Sequence, residues 1–351
     1  MRVAVAGAAS FAAAGAVGLA QGYWAVFTSV IVMQASVGGS LQATIDRMIG
    51  TIGGAVIGAI VAVALPSGDA FAQGAAVAIA LLPLAFVAAI DPRFRVAPVT
   101  AVIVLLSPTG QSLSPFLFTV DRVIEIAVGS VVALAVSLLV LPARAHGLLA
   151  ETTGKLLSLL ADFLGLLIGG LSASPDPSEV RRLQVATRRT LNRMEAIADE
   201  ARRERTSFLT DDPDPDPIVR TSHRVRNDLI MLARAAITPL PGELTDGLRP
   251  AIDQIAMSGA AFLRDLGAAF RDRTAPPTMD GFEAALRTYH GEIDAIRQAG
   301  TLRPLPADLV GRVFALGFAL DQLHQNARDL AARAAEFARA RGERKTPQAR
   351  V

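Results

Sequence analysis

The stretch Met48–Leu65, MIGTIGGAVIGAIVAVAL, holds no charged side chain in 18 positions and carries glycine at 50, 54 and 58. Eighteen helical residues extend about 27 Å, close to the ~30 Å hydrocarbon core of a bilayer. The segment therefore reads as a membrane span. Gly50, Gly54, Gly58 and Ala62 recur every four positions, which puts them on one helical stripe where a neighbouring backbone can approach closely. Helix packing is the reading adopted for these glycines and for Gly129 further on.

Similar apolar runs lie at 3–20, 23–37, 70–90, 96–106 and 120–141. Turn residues separate them: Gln21-Gly22, Gly38-Gly39, Pro66 to Asp69, Asp91-Pro92-Arg93 and Ser107 to Gly110. Six transmembrane helices are expected over residues 1–143. A cleaved leader, with Arg2 as its basic end and Gly18-Leu19-Ala20 as the cleavage site, competes for the first run. Charge divides the chain in the same place. Only ten charged residues precede Arg144, leaving 56 to the other 208 positions. A half so poor in charge needs lipid as its solvent.

Function classes fall away quickly. The net charge is +2 and no recognition motif accompanies it, so nucleic acid is not an expected partner. There is no cysteine, which excludes disulfides and thiol chemistry. His146, His223, His290 and His324 lack ligand spacing, so no metal is expected. No phosphate loop or nucleophile elbow occurs. The chain is therefore expected to be neither an enzyme nor a cofactor protein, and not to be driven by ATP of its own.

Arginine placement orients the spans. Arg2, Arg47, Arg93 with Arg95, and Arg144 fall at the N-terminus, two alternate loops and the exit, which predicts both termini in the cytoplasm. Arg122, beside Asp121 at the outer end of the sixth span, is the exception.

Two stretches align at an offset of 75: Asp46-Arg47-Met48-Ile49 on Asp121-Arg122-Val123-Ile124, with Gly54 on Gly129. Val30 to Gln34 resembles Val102 to Leu106 at a slightly different offset. The predicted unit is three spans used twice, and an odd number of spans inverts the second copy in the membrane. Glu125 occupies the position matching Gly50. A carboxylate there is costly unless paired or wetted, so it is a proton-coupling candidate, with an ion pair to Arg122 as the structural alternative; Asp121 and Arg47 complete the candidate proton-coupling or charge-pair set.

The second and fifth runs are short and end in polar, helix-breaking sequence: Gln34 and Ser36 in one, Ser107, Thr109 and Gln111 in the other. Interrupted segments can expose backbone groups to a cavity, which makes these five residues transport-path candidates; ordinary short helices explain the same pattern. Tyr23 and Trp24 open the second run, as an interfacial anchor or as a ring-stacking surface for substrate.

Tyr23-Trp24-Ala25-Val26-Phe27-Thr28-Ser29-Val30-Ile31-Val32-Met33-Gln34-Ala35-Ser36, then Arg47-Met48-Ile49-Gly50-Thr51-Ile52-Gly53-Gly54, and later Arg122 to Gly129, resemble the fusaric-acid-resistance-like family of aromatic acid exporters. The resemblance covers roughly residues 3–145, with Ala35 where the family usually has proline. It implies a bacterial inner-membrane exporter of aromatic or other organic acids, proton-coupled, with a passive anion channel as the alternative and a membrane scaffold as a remoter one. It further implies a homodimer, since the chain has one module where longer members have two, and a periplasmic adaptor protein as a partner of some members.

From Arg144 the pattern changes to charged, 3.6-residue periodicity. Helices are expected near 146–170, 177–209, 218–237, 243–272, 279–299 and 306–342, forming a soluble antiparallel bundle on the cytoplasmic side, with a disordered tail at 346–351. The arginines between Arg181 and Arg205 are interleaved with acids and read as a solvated face.

Overall fold

The computed structural model describes residues 1–19, 21–65, 69–106, 115–140, 144–171, 174–207, 209–236 and 239–345. Among them the secondary structure is all α apart from one 3-10 turn, and two compact units divide at Arg144/Ala145. The tail at 346–351 lies outside the described residues.

The first unit contains α1 (Arg2–Ala16), α2 (Tyr23–Val32), α3 (Val37–Ala64), α4 (Ala70–Ile90), a 3-10 turn (Pro92–Phe94), α5 (Ala97–Leu106) and α6 (Pro115–Leu139). Helix α4 follows its sequence signals at both ends. Asp69 Oδ1 accepts from Ala72 N at 2.8 Å to cap the start, and Asp91 with Pro92 closes the end. Helix α3 departs from expectation by starting eleven residues before Met48. Ser36, in extended conformation, caps it by accepting from Gly39 N at 2.9 Å. Gly38-Gly39, expected as a turn, is thus the first turn of a helix. Asp46 and Arg47 sit well inside that helix rather than in a loop, so Arg47 no longer serves as a loop marker of orientation.

By length and composition α3, α4, α6 (from Thr119) and α7 (Ala145–Gly169) can each cross a membrane. At 15, 10 and 10 residues, α1, α2 and α5 reach only about 22, 15 and 15 Å. Helix α7 qualifies for a different reason: 61% of its apolar window is buried within the protein, against 17 to 44% for the other three. Its apolar residues form the core of the second unit, among them Leu149, Leu156, Leu160 and Leu164. They are satisfied by protein, not lipid.

Around α7 pack α8 (Pro177–Thr206), α9 (Asp216–Ala235) and α10 (Gly242–Asp272), with α11 (Asp280–Gln298) on α10 and α12 (Ala307–Lys345) on α9. At the α7–α10 crossing, a Cβ added to Gly154 would stand 2.8 Å from Gly267 O, and one on Gly267 3.0 Å from Gly154 O. Only glycine allows that approach. Between α9 and α12, Asn326 Nδ2 donates to the buried Asp228 Oδ2 at 2.7 Å.

Candidate functional site

Helix α2 stops after ten residues because its backbone finds other partners. Gln34 N donates to Ser40 Oγ at 3.0 Å, and Ser40 Oγ donates to Ser36 O at 3.1 Å. The break from Met33 to Ser36 leaves carbonyls outside the helix ladder, and Arg2 takes them: Nη2 donates to Ala35 O at 2.9 Å and to Gln34 O at 3.5 Å. The break is therefore a built connection between α2 and α3, tied through Gln34 N, Gln34 O and Ala35 O. The Gln34 side chain turns back to Ile31 O at 3.1 Å. Of the residues here, Gln34 and Ser36 were legible from sequence. Arg2 was not, because nothing local links it to a segment more than 30 positions away.

A second group forms where α6 meets the start of α2. Arg122 Nη1 donates to Glu125 Oε2 at 3.0 Å, and both side chains are 3% exposed. Arg122 Nη2 donates to Gln21 Oε1 at 2.6 Å, while Gln21 N donates to Glu125 Oε1 at 3.1 Å. The guanidinium also lies over the Trp24 ring, 4.5 Å from its centroid, and Tyr23 OH donates to Gln21 Oε1 at 3.0 Å. Arginine, glutamate, glutamine and two aromatics close one network. The structure brings Tyr23, Trp24, Arg122 and Glu125 together; Asp121 remains exposed beside them. Trp24 lies beneath a cation rather than standing as an isolated anchor. Gln21, which had read only as a turn residue, ties the group together.

Arg47 belongs to neither group. Its side chain is 9% exposed, its Nε is sealed without an acceptor, and no ion pair to it occurs among the described residues. Asp46, next in sequence, instead accepts from Gln42 Nε2 at 2.6 Å. The hydroxyls of Thr44 and Thr51 are likewise buried without partners. Ser107, Thr109 and Gln111 lie outside the described residues.

The glycines sit at two helix crossings. A Cβ on Gly54 would come 2.2 Å from Ala97 O, bringing α3 against α5; one on Gly129 would come 2.3 Å from Ala25 O, bringing α6 against α2. Gly58 and Gly50 extend the first crossing, with Cβ positions 3.1 Å from Ala101 Cα and 3.0 Å from Arg93 O. Gly54 and Gly129 are partners in the 75-residue offset, and Ala25 and Ala97 are 72 apart, the offset that also aligns Val30 with Val102.

A family model described as fusaric acid resistance protein-like matches residues 7–136. The likeness falls within the first unit. The match runs from α1 nearly to the end of α6 and includes both arginine positions. No curated protein matches the chain. With this likeness to a transport and resistance family and several helices able to cross a bilayer, the chain is a multi-pass membrane protein.

Proposed function

We propose that this protein exports aromatic or other organic acids across the bacterial inner membrane, coupled to proton entry, with both termini cytoplasmic and no enzymatic step. The observation that carries the reading is the burial of Arg47, Arg122 and Glu125 inside a unit otherwise nearly free of charge. Ionisable side chains kept at such cost within membrane helices mark pathways and proton relays. Glu125 is the coupling residue in this reading. Its protonation removes the counter-charge from Arg122, and its ionisation restores it.

The equivalent crossings Gly54–Ala97 and Gly129–Ala25 support six membrane segments arranged as two inverted three-helix units. The short α2 and α5 occupy corresponding places, each packed against the long third helix of the other unit. Arg2, Arg93, Arg95 and Arg144 support the cytoplasmic termini. In this reading the protein works as a homodimer, and a periplasmic adaptor would carry the exported acid onward.

A passive anion channel of the same fold is the second reading, since a buried cation also suits anion conduction. Flux of 4-hydroxybenzoate from proteoliposomes, with and without an imposed pH gradient, decides between them. Gradient-driven accumulation establishes coupled export, equal flux in both conditions establishes a channel, and no flux of any organic acid defeats both.

A further inference from the structure

The two arginines related by the 75-residue offset have different surroundings. Arg122 has a carboxylate, an amide oxygen and an indole face. The position matching Glu125 is Gly50, where a Cβ would stand 3.0 Å from the Arg93 carbonyl oxygen and 3.3 Å from Val96 Cβ, and which carries no carboxylate. Arg47 accordingly lacks the carboxylate that its counterpart possesses. An arginine stays charged under all ordinary conditions, and a buried charge without a counter-ion is expensive. Asp46 does not supply one: neighbours in a helix do not face each other, and its carboxylate is bonded to Gln42.

Thr44 and Thr51 stand three residues before and four after Arg47, on the same face of α3. Each has a buried hydroxyl with no partner. The guanidinium Nε and two hydroxyls thus share one stripe, with no acceptor for them among the described residues. We propose that this stripe holds the carboxylate of the transported acid, Arg47 forming the charge-assisted bonds and Thr44 and Thr51 adding one each. Glu125 on Arg122 shows, in the other half of the unit, the type of contact that the substrate makes at Arg47. The inference rests on the organic-acid reading above and names its binding residues.

The test is equilibrium binding of labelled 4-hydroxybenzoate to the full chain in nanodiscs, with 4-hydroxybenzamide as the neutral control. Arg47→Gln should weaken benzoate binding about tenfold or more, and Arg47→Lys less, because a lysine cannot make the forked contact. Thr44→Val with Thr51→Val should weaken it severalfold, as an independent arm of the test. The benzamide should not distinguish any of them from wild type.

Without ligand, Arg47→Gln should melt at the same temperature as wild type or higher, since a stranded charge is removed. A lower melting temperature would mark a structural arginine and overturn the proposal. So would unchanged benzoate binding in Arg47→Gln, or a wild type that binds no benzoate. Flux separates the two readings. Benzoate binding through Arg47 without transport defeats the exporter reading alone, and undiminished gradient-driven flux in Arg47→Gln defeats this proposal alone.

Discussion

Arg122 and Glu125 stand one turn apart on α6 and close a buried ion pair at 3.0 Å, with Gln21 from the α1–α2 connection bonded to both. The pair is thus part of how α6 is held to the start of α2. Removing one partner of a buried pair strands the other and costs about 3–5 kcal/mol. Glu125→Gln should therefore lower the melting temperature in detergent and abolish gradient-driven flux together. Adding Arg122→Gln should recover much of the stability and none of the flux. A double-mutant cycle on melting temperature checks the coupling.

The two glycine crossings predict equal sensitivity in the two halves of the unit. Gly54→Ala and Gly129→Ala each drive a methyl into a carbonyl oxygen, at 2.2 and 2.3 Å, and should destabilise by about 1–3 kcal/mol or more. Gly74 in α4 has nothing within 4 Å of its added Cβ. Gly74→Ala should be neutral or stabilising by up to about 1 kcal/mol, through helix propensity alone. Thermal unfolding of the three variants side by side is the measurement.

Ser36→Ala removes the cap of α3 and should cost about 0.5–2 kcal/mol. Ser40→Ala strands Gln34 N, whose bond to Ser40 Oγ lets the chain leave the α2 ladder. Faster hydrogen exchange confined to residues 33–40, with α4 unchanged, is the expected signature in both.

In the second unit, burial raises the Asp228 carboxyl above its ordinary range, against the opposing pull of Asn326 and Arg224. A carboxyl with a raised folded pKa binds more protons folded than unfolded. Stability therefore falls as pH rises from the ordinary carboxylate range to the folded value, by about 1.4 kcal/mol for each unit between the two. Asp228→Asn should remove that slope and leave the bundle more stable above the window. Melting temperatures of wild type and variant across acid to neutral pH provide the comparison.

Particular elements show how far the sequence reaches. Helix α4 was predicted at 70–90 and is found there, because Asp69 and the Asp91-Pro92 pair are local signals that nothing else overrides. The start of α3 was misplaced because a double glycine and an Asp-Arg pair read as loop chemistry, whereas the Ser36 cap and burial against neighbouring helices keep both in the helix. Helix α7 is apolar enough for lipid, and only its packing in the second unit shows where its leucines go. Gln21 and Arg2 were missed as organising residues because their partners lie 104 and 33 positions away.

By itself the sequence determined the all-α class, the change of solvent at Arg144, the family of the membrane half and the stripe of small residues. Each of these is a matter of composition or short-range period, written locally in the chain. Only the tertiary structure decided the surroundings of the two arginines. Asp46-Arg47 and Asp121-Arg122 look alike in sequence, but Arg122 is neutralised by Glu125 and bonded to a glutamine about 100 residues away, while Arg47 is buried with its Nε lacking an acceptor and no ion pair among the described residues. A charge's environment is set by what packs around it, and here the packing comes from helices distant in the chain.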